Sequence, residues 1–275
     1  MIVEFSEILE IAEKGNFAIP AFNVYNMETV MGIVEAAEEL HAPIIIQTYS
    51  RLFASKEAYY LAPIVLAAAQ KTAVPICFHL DHGAGDMEIT RALRYGCTGI
   101  MTDNSMLPLE ENIAFTKKIA DRCAYLGIGV EGELGHIGSV NDEKMSAYTD
   151  VEEAKRFVEE TGVKALAIMV GTAHGHYKQA PVLDIERIKA IKSATGAALV
   201  LHGGSGVPDD QIKAAVAAGI RKINFGTDVC CSFLDKVFET SRDLIAIDLF
   251  MKDVIENVKK FGMTKIKLLG AENKA

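Results

Sequence analysis

The sequence has no C-x-x-C pair, no basic stripe and no apolar run near the roughly 18 residues that a membrane span needs. Each absence excludes something. Its five cysteines, Cys77, Cys97, Cys123, Cys230 and Cys231, are scattered and odd in number. That argues against a disulfide framework and predicts reduced thiols in a cytoplasmic compartment. A formal net charge of −9 without a basic patch argues against nucleic acid as a partner. The opening "MIVEFSEILEIAEKG" carries acids at amphipathic spacing, which a signal peptide does not. No linker, low-complexity stretch or charge block divides the chain, so residues 1–275 are expected to form a single domain.

What is present is a repeat. A short β-rich apolar run is followed by a helical segment, over and over. The strand candidates are "FAIPAFNVY" (17–25), "PIIIQTY" (43–49), "VPICFHLD" (74–81), "GIMTDN" (99–104), "GIGVEGEL" (127–134), "ALAIMVG" (165–171), "ALVLHGG" (198–204) and "KINFGTD" (222–228). Their middles are apolar on both faces, as in parallel strands covered on both sides. Between them, "METVMGIVEAAEEL" (27–40) is amphipathic. "DVEEAKRFVEETG" (150–162) opens on an Asp cap and stops at glycine, and "VPDDQIKAAVAAG" (207–219) has proline near its start and glycine at its end. Eight such units predict an α/β fold, a (β/α)8 TIM barrel closed by a C-terminal helical extension. An open doubly wound sheet would carry a glycine fingerprint after its first strand, and "FNVYNME" has none.

Chemistry in such a barrel sits at the C-terminal strand ends. Asn23 ends the first strand; His79, Asp81 and His82 end the third; Asp103 the fourth; Glu131 and Glu133 the fifth. His174 and His176 follow the sixth, His202 ends the seventh, and Asn224, Thr227 and Asp228 end the eighth. Six of the seven histidines fall in or beside these ends, His41 being the exception. Any one of them alone reads as a core or loop histidine; together they converge. Three neutral imidazoles with an open position make a catalytic zinc site. Alternation puts His79 and Asp81 on one strand face and His82 on the other, unless the strand has already ended. Gly83 suggests that it has, which places His82 in the mouth and leaves His79 a supporting role. His174 and His176 compete for the second place, and the small neighbours Ala173 and Gly175 favour His174.

A second signal is "HGGSG" (202–206). Glycines let backbone N–H groups approach an anion, and the helix after Pro208 would offer its positive end. Beside a histidine cluster, phosphate is the better reading than an ordinary turn.

The strings "FHLDHG", "VEGELG", "GTAHGHYK", "LHGGSGVPDDQI" and "INFGTD" resemble, in this order and spacing, the class II, zinc-dependent ketose-bisphosphate aldolases. The likeness runs from "AFNVYN" to "KKFG". It implies Zn2+ on His82, His174 and His202, and a catalytic carboxylate at Asp81. It implies that Asp103 and Glu133 can hold a second or transiently placed metal, and that a monovalent cation such as Na+ or K+ sits near the phosphate. The cradle for dihydroxyacetone phosphate maps to Gly175, Gly203, Gly204 and Ser205 with Asn224, Gly226 and Thr227, beside Asn23. It further implies a homodimer or homotetramer in carbohydrate metabolism (glycolysis included), acting on a small sugar phosphate of the fructose- or tagatose-bisphosphate type.

Three positions depart from that pattern. Where the family's loop brings a proton-moving glutamate stands Asn141, with Asp142 and Glu143 next to it. Where the C-terminal helix often carries an arginine for the distal phosphate stands Ile247, with Arg242 out of register. Gly226 replaces a polar side chain. These leave room for a ketose 1-monophosphate with an unphosphorylated aldehyde product, or for a non-catalytic binding descendant. A Schiff-base aldolase would need a lysine inside the sixth strand, and a metal-dependent hydrolase would favour paired histidines on the first; neither is present.

Overall fold

The structure, a computed structural model, describes residues 1–137, 139, 147–175, 177 and 179–275. Its eight described strands are β1 (Ile19–Asn23), β2 (Ile44–Tyr49), β3 (Ile76–Gly83), β4 (Gly99–Thr102), β5 (Gly129–Leu134), β6 (Ala165–Ile168), β7 (Ala198–Leu201) and β8 (Ile220–Phe225). They pair in sequence order, all parallel, and β8 returns to β1 to close a barrel. Every strand residue but Tyr49 is buried, which is why their sequences are apolar on both faces. The fold is the expected (β/α)8 barrel.

The helices are α1 (Phe5–Gly15), α2 (Met27–Glu39), α3 (Ser50–Ala54), α4 (Glu57–Lys71), α5 (Asp86–Arg94), α6 (Leu109–Ala124), α7 (Val151–Thr161), α8 (Ile185–Thr195), α9 (Asp209–Ala218), α10 (Thr227–Glu239) and α11 (Ile247–Leu269). Local chemistry sets their ends. Asn26 and Thr29 form a reciprocal capping box at the start of α2. The Asp150 carboxylate accepts from the N–H groups of Glu152 and Glu153, and Gly162 ends α7 with left-handed backbone. Pro208 precedes α9 and Gly219 follows it. Among the described residues no helix is long and apolar enough to cross a membrane.

The floor of the barrel is sealed by α1 and the residues before it. The N–H groups of Val3 and Phe5 donate to the carbonyls of Ile76 and Thr98, both at 3.0 Å. The Phe5 ring, fully buried, lies 4.7 Å from the imidazole of His79. A Cβ on Gly99 would stand 2.5 Å from that imidazole, so β4 carries no side chain there. At the other side α11 packs along α2 through small residues: a Cβ on Gly32 would meet Val258 Cβ at 2.9 Å, and one on Gly262 would meet Ala36 Cβ at 3.0 Å. With the floor closed, the open end is the one where the strands finish.

Candidate active site

A cavity of about 370 Å³ opens at that end, within the range of small-molecule sites. Its walls include Asn23 from β1, Asp81 from β3, His174 after β6 and Asn224 from β8. His82 lies just behind that wall, against Asp81 and His174, for a reason different from the one the sequence suggested. The strand does not stop before His82; β3 runs on to Gly83. Its register with β4 shifts between Leu80 and Gly83, and His82 adopts left-handed backbone at φ 54°. This bulge breaks the alternation, so Asp81 and His82 serve the same site. Left-handed backbone in a non-glycine residue costs on the order of 1–3 kcal/mol. The surrounding contacts of a fully formed barrel hold it in place.

His82, His174 and His202 each present a ring nitrogen within 4.8 Å of the others. Their ring centroids lie 4.8–5.8 Å apart, edge to face. Carboxylates fix two of the rings. His82 Nδ1 lies 2.6 Å from Asp103 Oδ2, and His202 Nε2 lies 2.8 Å from Glu131 Oε1. A carboxylate only accepts, so those outer nitrogens carry the protons. The inner nitrogens, His82 Nε2 and His202 Nδ1, then face each other at 3.1 Å. His174 Nε2 and Glu133 Oε2 are buried without a hydrogen-bond partner among the described residues. Orphaned buried polar atoms around converging imidazoles fit a cation. His82, Asp103 and Glu133 make a second, overlapping group of the same kind. His176, the competitor of His174, lies outside the described residues, as do Asn141, Asp142 and Glu143.

Proton affinities follow from this packing. Burial and the charge on His82 lower His174 to about 4, and burial with His82 and Lys222 pushes His202 well down; both are neutral at pH 7. Burial opposes charge on His82 too, but Asp81, Asp103 and Glu133 outweigh it and raise it to about 10. A cation entering between the rings would displace that proton. Burial, then Asp103, raises Glu133 to about 8.

Asp81 is held from both sides. Asn23 Nδ2 donates to its Oδ2 at 2.7 Å and Asn224 Nδ2 to its Oδ1 at 3.3 Å. Gln47 orients the first amide through Asn23 Oδ1 at 2.9 Å, and Lys222 the second through Asn224 Oδ1 at 2.8 Å. Lys222, fully buried, also lies 2.9 Å from Glu131 Oε2. It therefore braces Asp81 through Asn224 and His202 through Glu131. Sequence reading missed this role, although a lysine inside an apolar strand opposite a glutamate was a usable signal. Lys222→Met is expected to destabilise the fold by about 3–5 kcal/mol, because Glu131 keeps the His202 imidazole but loses its buried cationic partner. Urea unfolding should show it as a fall in midpoint at constant m-value; an unchanged midpoint would mean that the pair is neutral to stability.

Of the residues expected to cradle an anion, Gly204 is the one that stands apart from the cavity. The N–H of Gly204 donates to the Asn224 carbonyl at 3.2 Å, and Gly204 does not line the cavity. Nor do the first residues of α9. Gly203, Ser205, Gly226, Thr227 and Gly175 do line it. The helix end that faces the cavity is that of α10, whose first N–H groups have no acceptor within the helix. Ser205 Oγ accepts the Asp228 N–H at 3.2 Å and ties the two loops together. Tyr177 Oη, also unforeseen, accepts from the Ala173 N–H at 2.7 Å and has its one proton between the Ala173 carbonyl at 2.8 Å and the Gly203 carbonyl at 3.0 Å. Gly203 has φ 68°, and a Cβ there would stand 2.4 Å from the Ala173 carbonyl oxygen. Gly203→Ala should therefore displace this wall, raising KM for a phosphorylated substrate by about tenfold or more while kcat falls less. Steady-state kinetics on the pure variant checks this; an unchanged KM would remove Gly203 from the cradle.

The protein is a closed TIM barrel with buried histidines and carboxylates at its mouth that could hold a metal ion. Comparison with known proteins narrows this. The sequence profile of "Fructose-bisphosphate aldolase class-II" matches residues 3–274. The chain is 38% identical to the Escherichia coli K12 protein YdjI, over 96% of each chain. It is 36% identical to the sulfofructosephosphate aldolase of Alkalicoccus urumqiensis, over 98% of this chain and 96% of that one. The crystal structure of the YdjI aldolase superposes with a TM-score of 0.91 over the full length of both chains, at 36% identity. A putative fructose-1,6-bisphosphate aldolase from Coccidioides immitis gives 0.92 at 28% identity, over 98% of this chain and 97% of that one. The chain belongs to the class II fructose-bisphosphate aldolase family and is a carbon–carbon lyase.

Proposed function

We propose that the protein cleaves a ketose 1-phosphate reversibly to dihydroxyacetone phosphate and an aldehyde, using one zinc ion per chain on His82, His174 and His202. The observation that carries this reading is the pair of inner imidazole nitrogens 3.1 Å apart, their outer nitrogens tied to Asp103 and Glu131, with His174 beside them. When bound, the ion would supply Lewis acidity towards the ketose carbonyl and the negative charge that develops as the C3–C4 bond breaks. The chain's own residues do the rest. Asp81 accepts the proton of the C4 hydroxyl in cleavage and returns it in condensation; two amides hold it for this, and it lies 3.8 Å from His82 Nε2. Gly203, Ser205, Gly226, Thr227 and Gly175 grip the C1 phosphate and keep the reacting carbons aligned. Asp103 and Glu133 are the place for a second divalent ion, and Na+ or K+ would sit near the phosphate. Exposed apolar side chains on the α10–α11 segment, among them Phe238, Ile245 and Ile247, favour a homodimer or homotetramer.

One observation favours a substrate for which a second phosphate is optional. Ile247 opens α11 on the surface, 75% exposed and outside the cavity wall, so it takes no part in gripping the far end. The relative named sulfofructosephosphate aldolase is likewise named for a sugar phosphate other than a bisphosphate. The experiment is a coupled assay for dihydroxyacetone phosphate release over a panel of ketose 1-phosphates and 1,6-bisphosphates. Release from several 1-phosphates is the expected result; no release from any member with zinc-loaded protein would remove the reading.

A further inference from the structure

The far end of the cavity carries a cation that the aldol chemistry leaves unassigned. Arg51 follows β2 on α3 and is the only arginine or lysine among the described residues of the wall. Its guanidinium carbon lies 4.9 Å from the ring centre of Tyr49 and 5.8 Å from that of Tyr25, both within cation–π range. Among the described residues no carboxylate is in ion-pair range of it and no acceptor takes its N–H groups. Arg51 is exposed, the two rings lie against its planar group, and its donor fork is open to a ligand entering the cavity.

The order of the walls says what that is. In the closed ring β7 and β8 are followed by β1, β2 and β3. A substrate whose C1 phosphate lies at the β7–β8 loops and whose C4 hydroxyl lies at Asp81 on β3 has two directions for its remaining carbons. One leads towards β4 and β5, where His136 and Ile137 after β5 form the wall and no arginine or lysine stands among the described residues. The other leads to Tyr25, Tyr49 and Arg51 at the ends of β1 and β2. An acidic tail finds no guanidinium or ammonium group in the first and the open donor fork of Arg51 in the second.

We propose that Arg51 is a specificity-determining residue that pairs with an acidic group at the aldehyde end, so that this enzyme prefers ketose 1-phosphates ending in a carboxylate, sulfonate or phosphate over those ending in a neutral hydroxymethyl group. The inference rests on the aldolase reading and deepens it. Planar guanidinium against a three-oxygen or two-oxygen anion gives paired N–H···O bonds that a neutral hydroxyl cannot match.

The test uses zinc-loaded protein and a matched set of ketose 1-phosphates that differ only in the terminal group: hydroxymethyl, carboxylate, sulfonate, phosphate. The wild type should favour at least one acid over the neutral analogue by about tenfold or more in kcat/KM, chiefly through KM. The best of the three acids identifies the anion. In Arg51→Gln that ratio should collapse towards unity, and Arg51→Lys, which keeps charge without the fork, should retain part of it. An equal loss on neutral and acidic substrates would place Arg51 on the C1 phosphate and overturn the proposal. So would a wild type with no preference, which would leave the aldolase reading intact. Failure of every substrate would overturn both.

Discussion

His202→Ala is expected to lose metal and turnover together. His202 is fully buried, its Nε2 tied to Glu131 and its Nδ1 turned to the other imidazoles. A site of three histidines reduced to two holds zinc poorly. Loss of a Lewis acid that supplies several kcal/mol to the transition state amounts to about a thousandfold or more in rate. Metal analysis after gel filtration should fall from one zinc per chain to a small fraction, and dihydroxyacetone phosphate release should fall with it. Chelation of the wild type should do the same reversibly, with zinc or cobalt restoring the rate. Full activity in exhaustively chelated protein would sink the metal assignment. The variant's thermal midpoint separates this from unfolding, because Glu131 keeps Lys222 as a partner at 2.9 Å.

Asp81→Ala should show the opposite pattern: zinc retained, cleavage lost. Asp81 lies beside His82 in the chain, yet its oxygens are engaged by Asn23 and Asn224 and its nearer oxygen stays 3.8 Å from the His82 nitrogen. A general base contributes about 100- to 10,000-fold, so kcat should drop by that order with a smaller change in KM. Asp81→Asn, which preserves shape, should fall as far, because an amide cannot take up the proton. A variant within a factor of three of the wild-type rate would refute the role.

Much of this architecture is legible in the sequence because parallel strands buried on both faces leave an unmistakable apolar signature. Helix ends were equally readable where side chains act locally, as at Asp150 and Gly162. Readability fails where the backbone departs from regular geometry. Alternation assigns His82 to the wrong face unless β3 ends early; the bulge and left-handed turn that resolve this are set by register with β4, a contact no local string encodes. The helix beside the anion cradle is hard to read for a similar reason. "HGGSG" and Pro208 point to α9, whereas Gly226 and Thr227 at the start of α10 line the cavity, and the Gly204 N–H goes to the Asn224 carbonyl on β8. Lys222 and Arg51 were overlooked because their meaning lies in distant partners, Glu131 for one and the rings of Tyr25 and Tyr49 for the other.

The kink at His82 also bears on transplantation. Anyone grafting this constellation onto another barrel would copy side chains first, and on a regular strand two successive residues would emerge on opposite sides of the sheet. Such a graft would separate the Asp81 carboxylate from the His82 imidazole. What must be moved is a defect in the strand together with the neighbour that enforces it. By the same reasoning, a lineage could lose catalysis here through a single change in β4 that straightens β3, while every residue of "FHLDHG" remained unchanged.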